Sequence, residues 1–371
     1  MTTRDAWYEI ENVEEIPSPA LVVYPPRVEE NLRRIIAMAG GVRRLRPHVK
    51  THKMAEVVRM QLAAGITKFK CATIAEAEMV ARAGATDVLV AYPQIGPNAR
   101  RLLHLVEAFP GTSFSTIADD AGAIRALAQV FAKANRSIEL LLDIDNGQHR
   151  SGVAPGKEAV ERYRLFATLE GVRPGGLHVY DGHIRDADLT ERIAHVEAEF
   201  APVDALRREL ERARLPVPRV VAGGTPTFPA HALHEDRECS PGTCVFWDTG
   251  YSTKFADLDF LHAALVLTRV VSRPGGNRLC LDLGYKAVSP DNPAPRVQLL
   301  DPSDAVAVVH NEEHLAVETH RAGDFSVGDA LYGIPYHICP TCALHREAVV
   351  VENGRAVGRW AVAARDRKIT V

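Results

Sequence analysis

Nowhere does this chain hold the eighteen or so consecutive apolar residues that a membrane-crossing helix needs, so no helical membrane span is expected. It has no basic excess either. Lys and Arg number 44 against 47 Asp and Glu, a net charge of −3, which argues against a nucleic-acid partner. Cysteine is sparse, with six in 371 residues (Cys71, Cys239, Cys244, Cys280, Cys339, Cys342), too few and too scattered for a disulfide framework. Reduced thiols are expected. The opening stretch MTTRDAWYEIENVEE is polar and acidic and lacks a secretory signal's apolar core, which makes a cytoplasmic location the expectation. No low-complexity linker interrupts the chain.

What is present is an alternation. From residue 18 to about 250, short β-branched runs are followed by amphipathic helical patterns that stop at glycines such as Gly65, Gly84 and Gly171. The strand candidates are ALVVY, RLRPHVK, KFKCAT, DVLVAY, TSFSTIA, IELLLDI, GLHVYD, RVVAGG and CSPGTCVFWD. Strand and helix alternating at this length predict a parallel sheet with helical crossovers, and eight such units close a (β/α)8 barrel. The candidates number one too many for that, and the pattern does not say which is extra. Beyond residue 255 short apolar runs broken by Gly, Pro, Asn and Asp have the texture of an antiparallel β domain, with ENGR as a two-residue hairpin turn.

Four constellations could carry chemistry. RLRPHVKTHK, Arg44 to Lys53, packs six basic or potentially basic side chains into ten residues of a slightly acidic protein. It ends a predicted barrel strand, the end where barrel enzymes keep their sites. Lys50 would point into the mouth, with Arg46 and His48 favouring its neutral, nucleophilic form by like-charge repulsion; decoration of a loop is the plain alternative. The glycine turns AGGTPT and SPGTC follow late strands, a recurrent phosphate location, although each is also an ordinary turn former. In LLLDIDNGQHRSG, Asp143, Asp145 and Arg150 fit an internally satisfied polar loop better than a metal site or an acid/base pair. In GIPYHICPTCALH, His337 and Cys339 stand two apart, so on a strand they share a face, and imidazole with thiolate suits zinc. Cys339 and Cys342 also have redox spacing, a use that a β-domain setting disfavours. With His345 they could form a closed four-ligand zinc site, and spacing does not choose between that and an open one.

RPHVKTHK resembles the pyridoxal-phosphate lysine segment of the D-serine dehydratase and D-threonine aldolase group, within the fold-type III, alanine-racemase-like enzymes. The likeness continues through KCATIAEAEMVARAGATDVLVAYP, DIDNGQHRSGV, LHVYDGHIRD, AGGTPTF, SPGTCVFWDTGY and HICPT, nearly the whole chain. The resemblance implies an α/β protein: a cofactor-binding barrel over 25–252, and a β domain formed by 1–24 and 253–371 that carries a metal site. ALVVY then joins the β domain, leaving eight strands for the barrel. It further implies that Lys50 bears pyridoxal 5′-phosphate and that Arg150 approaches the cofactor's phenolic oxygen. Tyr180 would lie against the pyridine ring, Thr225, Gly242 and Thr243 would hold the phosphate, and His337 and Cys339 would bind the metal. A thiolate favours zinc over manganese or magnesium.

The expected activity is that of a lyase on a small D-β-hydroxy-α-amino acid, D-serine dehydration to pyruvate and ammonia being favoured and a homodimer the expected assembly. The alternatives are aldolase-type cleavage to glycine and an aldehyde, or a non-catalytic cofactor-binding protein. The His-x-Cys pair follows the dehydratase branch, where the aldolase branch has His-x-Asp. YDGHIRD and GTCVFWDTGY look more like the aldolase side.

Overall fold

A computed structural model describes residues 6–371. Two compact units make up the chain. One comprises the stretch up to Leu32, Thr51–Val57 and Thr243–Arg365; the other comprises Arg33–Lys50, Val58–Gly242 and Asp366–Val371.

The first strand, β1 (Ala20–Val23), belongs to the first unit. The second unit is built on seven parallel strands: β2 (Lys68–Cys71), β3 (Asp87–Val90), β4 (Ser113–Ala118), β5 (Ile138–Ile144), β6 (Val172–Val179), β7 (Val220–Ala222) and β8 (Arg237–Cys239). They lie side by side in chain order with helical crossovers. The crossover helices start where their sequences cap them: Thr73, Asp120 and Asp188 each accept the backbone N–H three residues on. RLRPHVK is not a regular strand. Leu45 bridges to Cys239 and His48 to Lys70, so the segment touches both edges of the sheet through single pairings. Pro47 inside the segment and the turns on either side leave no room for a longer ladder. CSPGTCVFWD departs further from expectation, since the strand ends at Cys239 and Thr243–Val245 and Thr249–Ser252 are helical turns.

Side chains alternate along these strands, so one parity lines the barrel interior in layers. At the bottom Arg46, fully buried, bonds Asp87 and Glu238 at 2.7 Å each, and Lys68 meets the other Glu238 oxygen at 2.5 Å. Arg219 pairs with Glu139. Above them Leu89, Ile117, Leu141 and Val221 form an apolar layer. Asp143, two residues beyond Leu141 on β5, pairs in register with His178 on β6, and Lys70, two beyond Lys68 on β2, is close enough to act on both electrostatically.

The first unit holds a mixed sheet of β1 with β9 (Ala264–Gly275), β10 (Arg278–Leu281), β11 (Val297–Leu299), β12 (Val306–His310), β13 (Leu315–Glu318), β14 (Ala330–Pro335), β15 (Glu347–Glu352) and β16 (Arg355–Ala361). All ladders are antiparallel except β1 with β15. The β15–β16 turn is the expected Asn-Gly, with φ of 50° at Asn353 and 74° at Gly354. Among the described residues no helix is long and apolar enough to cross a membrane.

Candidate active site

In the barrel unit the structure gathers Lys50, Arg150 and Tyr180, three of the residues singled out above. Lys50 Nζ lies 5.6 Å from the centroid of the Tyr180 ring and the Arg150 guanidinium 4.8 Å from it. The AGGTPT turn reaches the same ring: a Cβ on Gly224 would stand 3.1 Å from Tyr180 Cε2. Gly223, at φ 70°, has no room for a side chain beside His231 and Thr227. Buried Asp181 holds the turn, accepting the Thr227 hydroxyl at 2.7 Å and His231 Nε2–H at 2.6 Å.

Thr225 and Gly242 meet as well. Gly242 N–H donates to Thr225 Oγ1 at 3.1 Å, and Ser240 Oγ two residues earlier is buried without a hydrogen-bond partner. A buried hydroxyl left unsatisfied is uncommon and suits an anionic group that is to be received there.

Two further parts of this cluster escaped the sequence reading. Lys70 is buried, forms no ion pair among the described residues, and has Nζ 5.7 Å from the Tyr180 ring centroid. Burial first, then the Lys50 charge, pull its amine down to about 7, with Asp143 and Asp181 opposing. The other part is His178. Burial and the Lys70 charge push its imidazole below the usual range. Nδ1–H donates to Asp143 Oδ1 at 2.7 Å, Ser151 donates to the other Asp143 oxygen at 2.8 Å, and Nε2 is buried without a partner. Period-2 alternation in KFKC and LHVY was the available signal: it places Lys68 with Lys70 and His178 with Tyr180.

Arg46 does not act as expected. Its charge is spent on Asp87 and Glu238 in the bottom layer, and the cations gathered with Lys50 are Lys70 and Arg150. His48 Nδ1 accepts the Lys50 backbone N–H at 3.3 Å. Asp145 is satisfied within its own loop, by the N–H groups of Gly147 and His149 and by the His149 ring.

In the β-sheet unit His337 and Cys339 do converge, but not by strand alternation. His337 caps a short helix, Ile338–Leu344, that follows β14, and Cys339 lies in its first turn. Asp248 fixes that turn by accepting the Ile338 N–H at 3.1 Å. The expectation failed because a seven-residue helix is too short to show a period. The β-domain setting therefore gives no ground against a redox pair, since Cys339 and Cys342 lie on a helix after a strand. What separates them is environment. The Thr51 and Thr243 hydroxyls lie 3.2 and 3.4 Å from the Cys339 sulfur. Burial works against ionisation of Cys339, but the His337 partner outweighs it and holds the thiol below its usual range. Burial lowers His337 too, while Cys339 and Asp291 outweigh it and bring the imidazole to about 9. Its Nδ1 is 2.5 Å from Asp291 Oδ2, the carboxylate support typical of a metal-binding histidine. Cys342 is driven well above its usual range by burial, and His345 Nε2–H is spent on the Ala287 carbonyl at 2.8 Å. No closed four-ligand set forms from these residues. A thiolate, an imidazole and a supporting carboxylate fit a divalent cation of zinc type.

The chain thus holds an all-parallel barrel with a lysine at its mouth and a separate β-sheet unit. The alanine racemase N-terminal domain profile matches residues 24–249, and a serine dehydratase domain profile matches 263–351. The chain belongs to the alanine-racemase-like, fold-type III pyridoxal-phosphate enzymes. It is 28% identical to D-threonine aldolase from Arthrobacter sp, over 94% of this chain and 93% of that one. It is 30% identical to D-threo-3-hydroxyaspartate dehydratase from Delftia sp. (strain HT23), over 88% and 92%. The crystal structure of D-threonine aldolase from Filomicrobium marinum superposes with a TM-score of 0.87 at 27% identity, covering 94% of this chain and 95% of that one. Two further structures of that dehydratase change a histidine and a cysteine two positions apart to alanine, the cysteine mutant in its metal-free form. Aldolases and dehydratases are both lyases, and the chain is an enzyme of that kind.

Proposed function

We propose that this enzyme cleaves a D-β-hydroxy-α-amino acid between Cα and Cβ, giving glycine and an aldehyde. The observation that carries the reading is the convergence of Lys50, Lys70 and Arg150 on the Tyr180 ring, a cationic cup for an anionic cofactor and an amino-acid substrate. Matches of 28% to a D-threonine aldolase and 29% to a 3-hydroxy-D-aspartate aldolase, against 23% to a D-serine dehydratase, favour this cleavage over the D-serine dehydration expected first.

Pyridoxal phosphate, when bound, supplies a ring system that takes up negative charge developing at the α-carbon. Lys50 is its attachment point, and Lys50 Nζ is the group that exchanges a proton with the α-carbon. Tyr180 supports the ring, Arg150 and Lys70 bracket an anionic substituent, and His178 Nε2 offers an acceptor. Thr225 and Gly242 would hold the phosphate, while the Thr243 hydroxyl lies against the Cys339 sulfur. A divalent cation on His337 and Cys339 supplies Lewis acidity toward a hydroxyl oxygen. Cys339, in place of the aldolase branch's aspartate, favours elimination of water as the second reading.

Purified holoenzyme given D-threonine separates the two. Cleavage yields glycine and acetaldehyde, elimination yields 2-oxobutanoate and ammonia, and turnover confined to L-threonine would overturn both.

Lys70 gives a pH test. In cofactor-free protein the unfolded chain keeps the lysine proton up to about 10.5 while the folded chain releases it near 7. Stability should therefore rise with pH across that window. Lys70→Met should flatten the rise and stabilise the cofactor-free fold by about 1–3 kcal/mol, as replacing a buried charge does. It should also lower kcat/KM by about 10–100-fold, the worth of a hydrogen bond to a charged group. An unchanged slope in denaturation midpoints against pH would remove Lys70 from the account.

Gly242→Val should weaken cofactor binding by about 2–4 kcal/mol, by analogy with lost hydrogen bonds to a charged group. Equilibrium titration of the cofactor-free variant measures it, and unchanged affinity would place the phosphate elsewhere.

A further inference from the structure

A second set of ligand-type side chains lies in the barrel unit, on the loop after β6 and the helix Leu189–Arg212 that follows. His183, His195 and Glu199 each offer one ligand atom, and these atoms lie within 4.8 Å of one another. His195 and Glu199 are four apart on the helix and so share a face. His195 Nε2 is 4.0 Å from Glu199 Oε1. Its other nitrogen, Nδ1, donates its N–H to Asp186 Oδ2 at 2.8 Å, which leaves the Nε2 lone pair facing Glu199. Carboxylate support of this kind orients metal-binding histidines.

His183 completes the set. Both of its ring nitrogens are buried and neither has a hydrogen-bond partner. Its ring stands edge-on to that of His195, 6.1 Å between centroids at 84°. A buried imidazole satisfied at neither nitrogen is a costly arrangement unless something is to be received. The space beside it is held open by Gly147, at φ 123°, where a Cβ would stand 2.7 Å from His183 Nε2 and 3.1 Å from Glu199 Oε2. Ligand atoms around a tetrahedral zinc ion lie about 3.4 Å apart, a contraction that side-chain torsions supply.

We propose that His183, His195 and Glu199 bind a first-row divalent cation, zinc by the chemistry of two imidazoles and one carboxylate, as a site built from residues other than His337 and Cys339. Magnesium and calcium, which take oxygen ligands, are not its ions. Three protein ligands leave a fourth position for water. The cation clasps the loop that follows Tyr180 to the helix beyond it, and Gly147, in the loop that carries Arg150, packs against the cluster. Two of the barrel-mouth segments that bear site residues are thereby held together.

The test is titration of metal-stripped holoenzyme with cobalt(II), following equivalents bound, the visible ligand-field bands, and the sulfur-to-cobalt charge-transfer band that only a thiolate site shows. Wild type should bind two equivalents. Cys339→Ser should lose the charge-transfer band and keep one equivalent. His195→Ala and, in the loop, His183→Asn should each keep the sulfur-ligated ion and lose the other, with circular dichroism unchanged. A wild type that binds one sulfur-ligated equivalent would overturn the proposal, as would both histidine variants retaining two. One equivalent without the sulfur band would instead uphold this site and sink the His337–Cys339 assignment, so the two failures are distinguishable.

Discussion

Lys50→Ala should lower kcat by at least about 10⁴-fold on whatever D-amino acid the wild type turns over, because attachment and proton exchange at the α-carbon fail together. The loss should fall on kcat rather than on folding. Lys50 is half-buried in a turn, and the buried ion pairs of its segment belong to Arg46, not to Lys50. Thermal unfolding of the cofactor-free variant should match wild type. Activity retained within tenfold would show that another amine, Lys70 or Lys53, does the chemistry.

Cys339→Ala should remove one equivalent of bound metal and lower activity by about 10³-fold, the several kcal/mol that a Lewis acid contributes. Cys342→Ala should keep both metal and activity, since that thiol is buried, held protonated and not gathered with the others. Metal analysis of the two variants beside their rates decides the matter. If Cys342→Ala also loses the metal, a closed structural site replaces the open one. Chelation would then unfold the β-sheet unit instead of merely silencing the enzyme.

The two variants bear on different parts of the chain, and those parts differ in how far the sequence disclosed them. Alternating β-branched runs and glycine-stopped helices are a repeated local pattern, so β2 to β8 could be read directly. Lys50 was read as the end of such a strand, but it lies in a turn. The segment before Lys50 could not be read directly, because it pairs by single bridges at Leu45 and His48, which leave no periodic mark. Arg46 was misread for a different reason. Its partners Asp87 and Glu238 lie 41 and 192 residues away, and composition of the local run says nothing of them. His178 was within reach, since strand alternation puts it in line with Tyr180, whereas Lys70 is in line only with Lys68, which nothing in the sequence singled out. The helix that carries Cys339 and Cys342 is seven residues long and starts at an uncommon cap, a histidine, so nothing in its pattern distinguished it from a strand.

Borohydride reduction of the purified holoenzyme, followed by peptide mapping, tests the central claim most directly. The account predicts that the reduced cofactor is fixed to the peptide containing Lys50, on Lys50 itself. Finding it on Lys70 or Lys53, or on no lysine at all, would contradict the account.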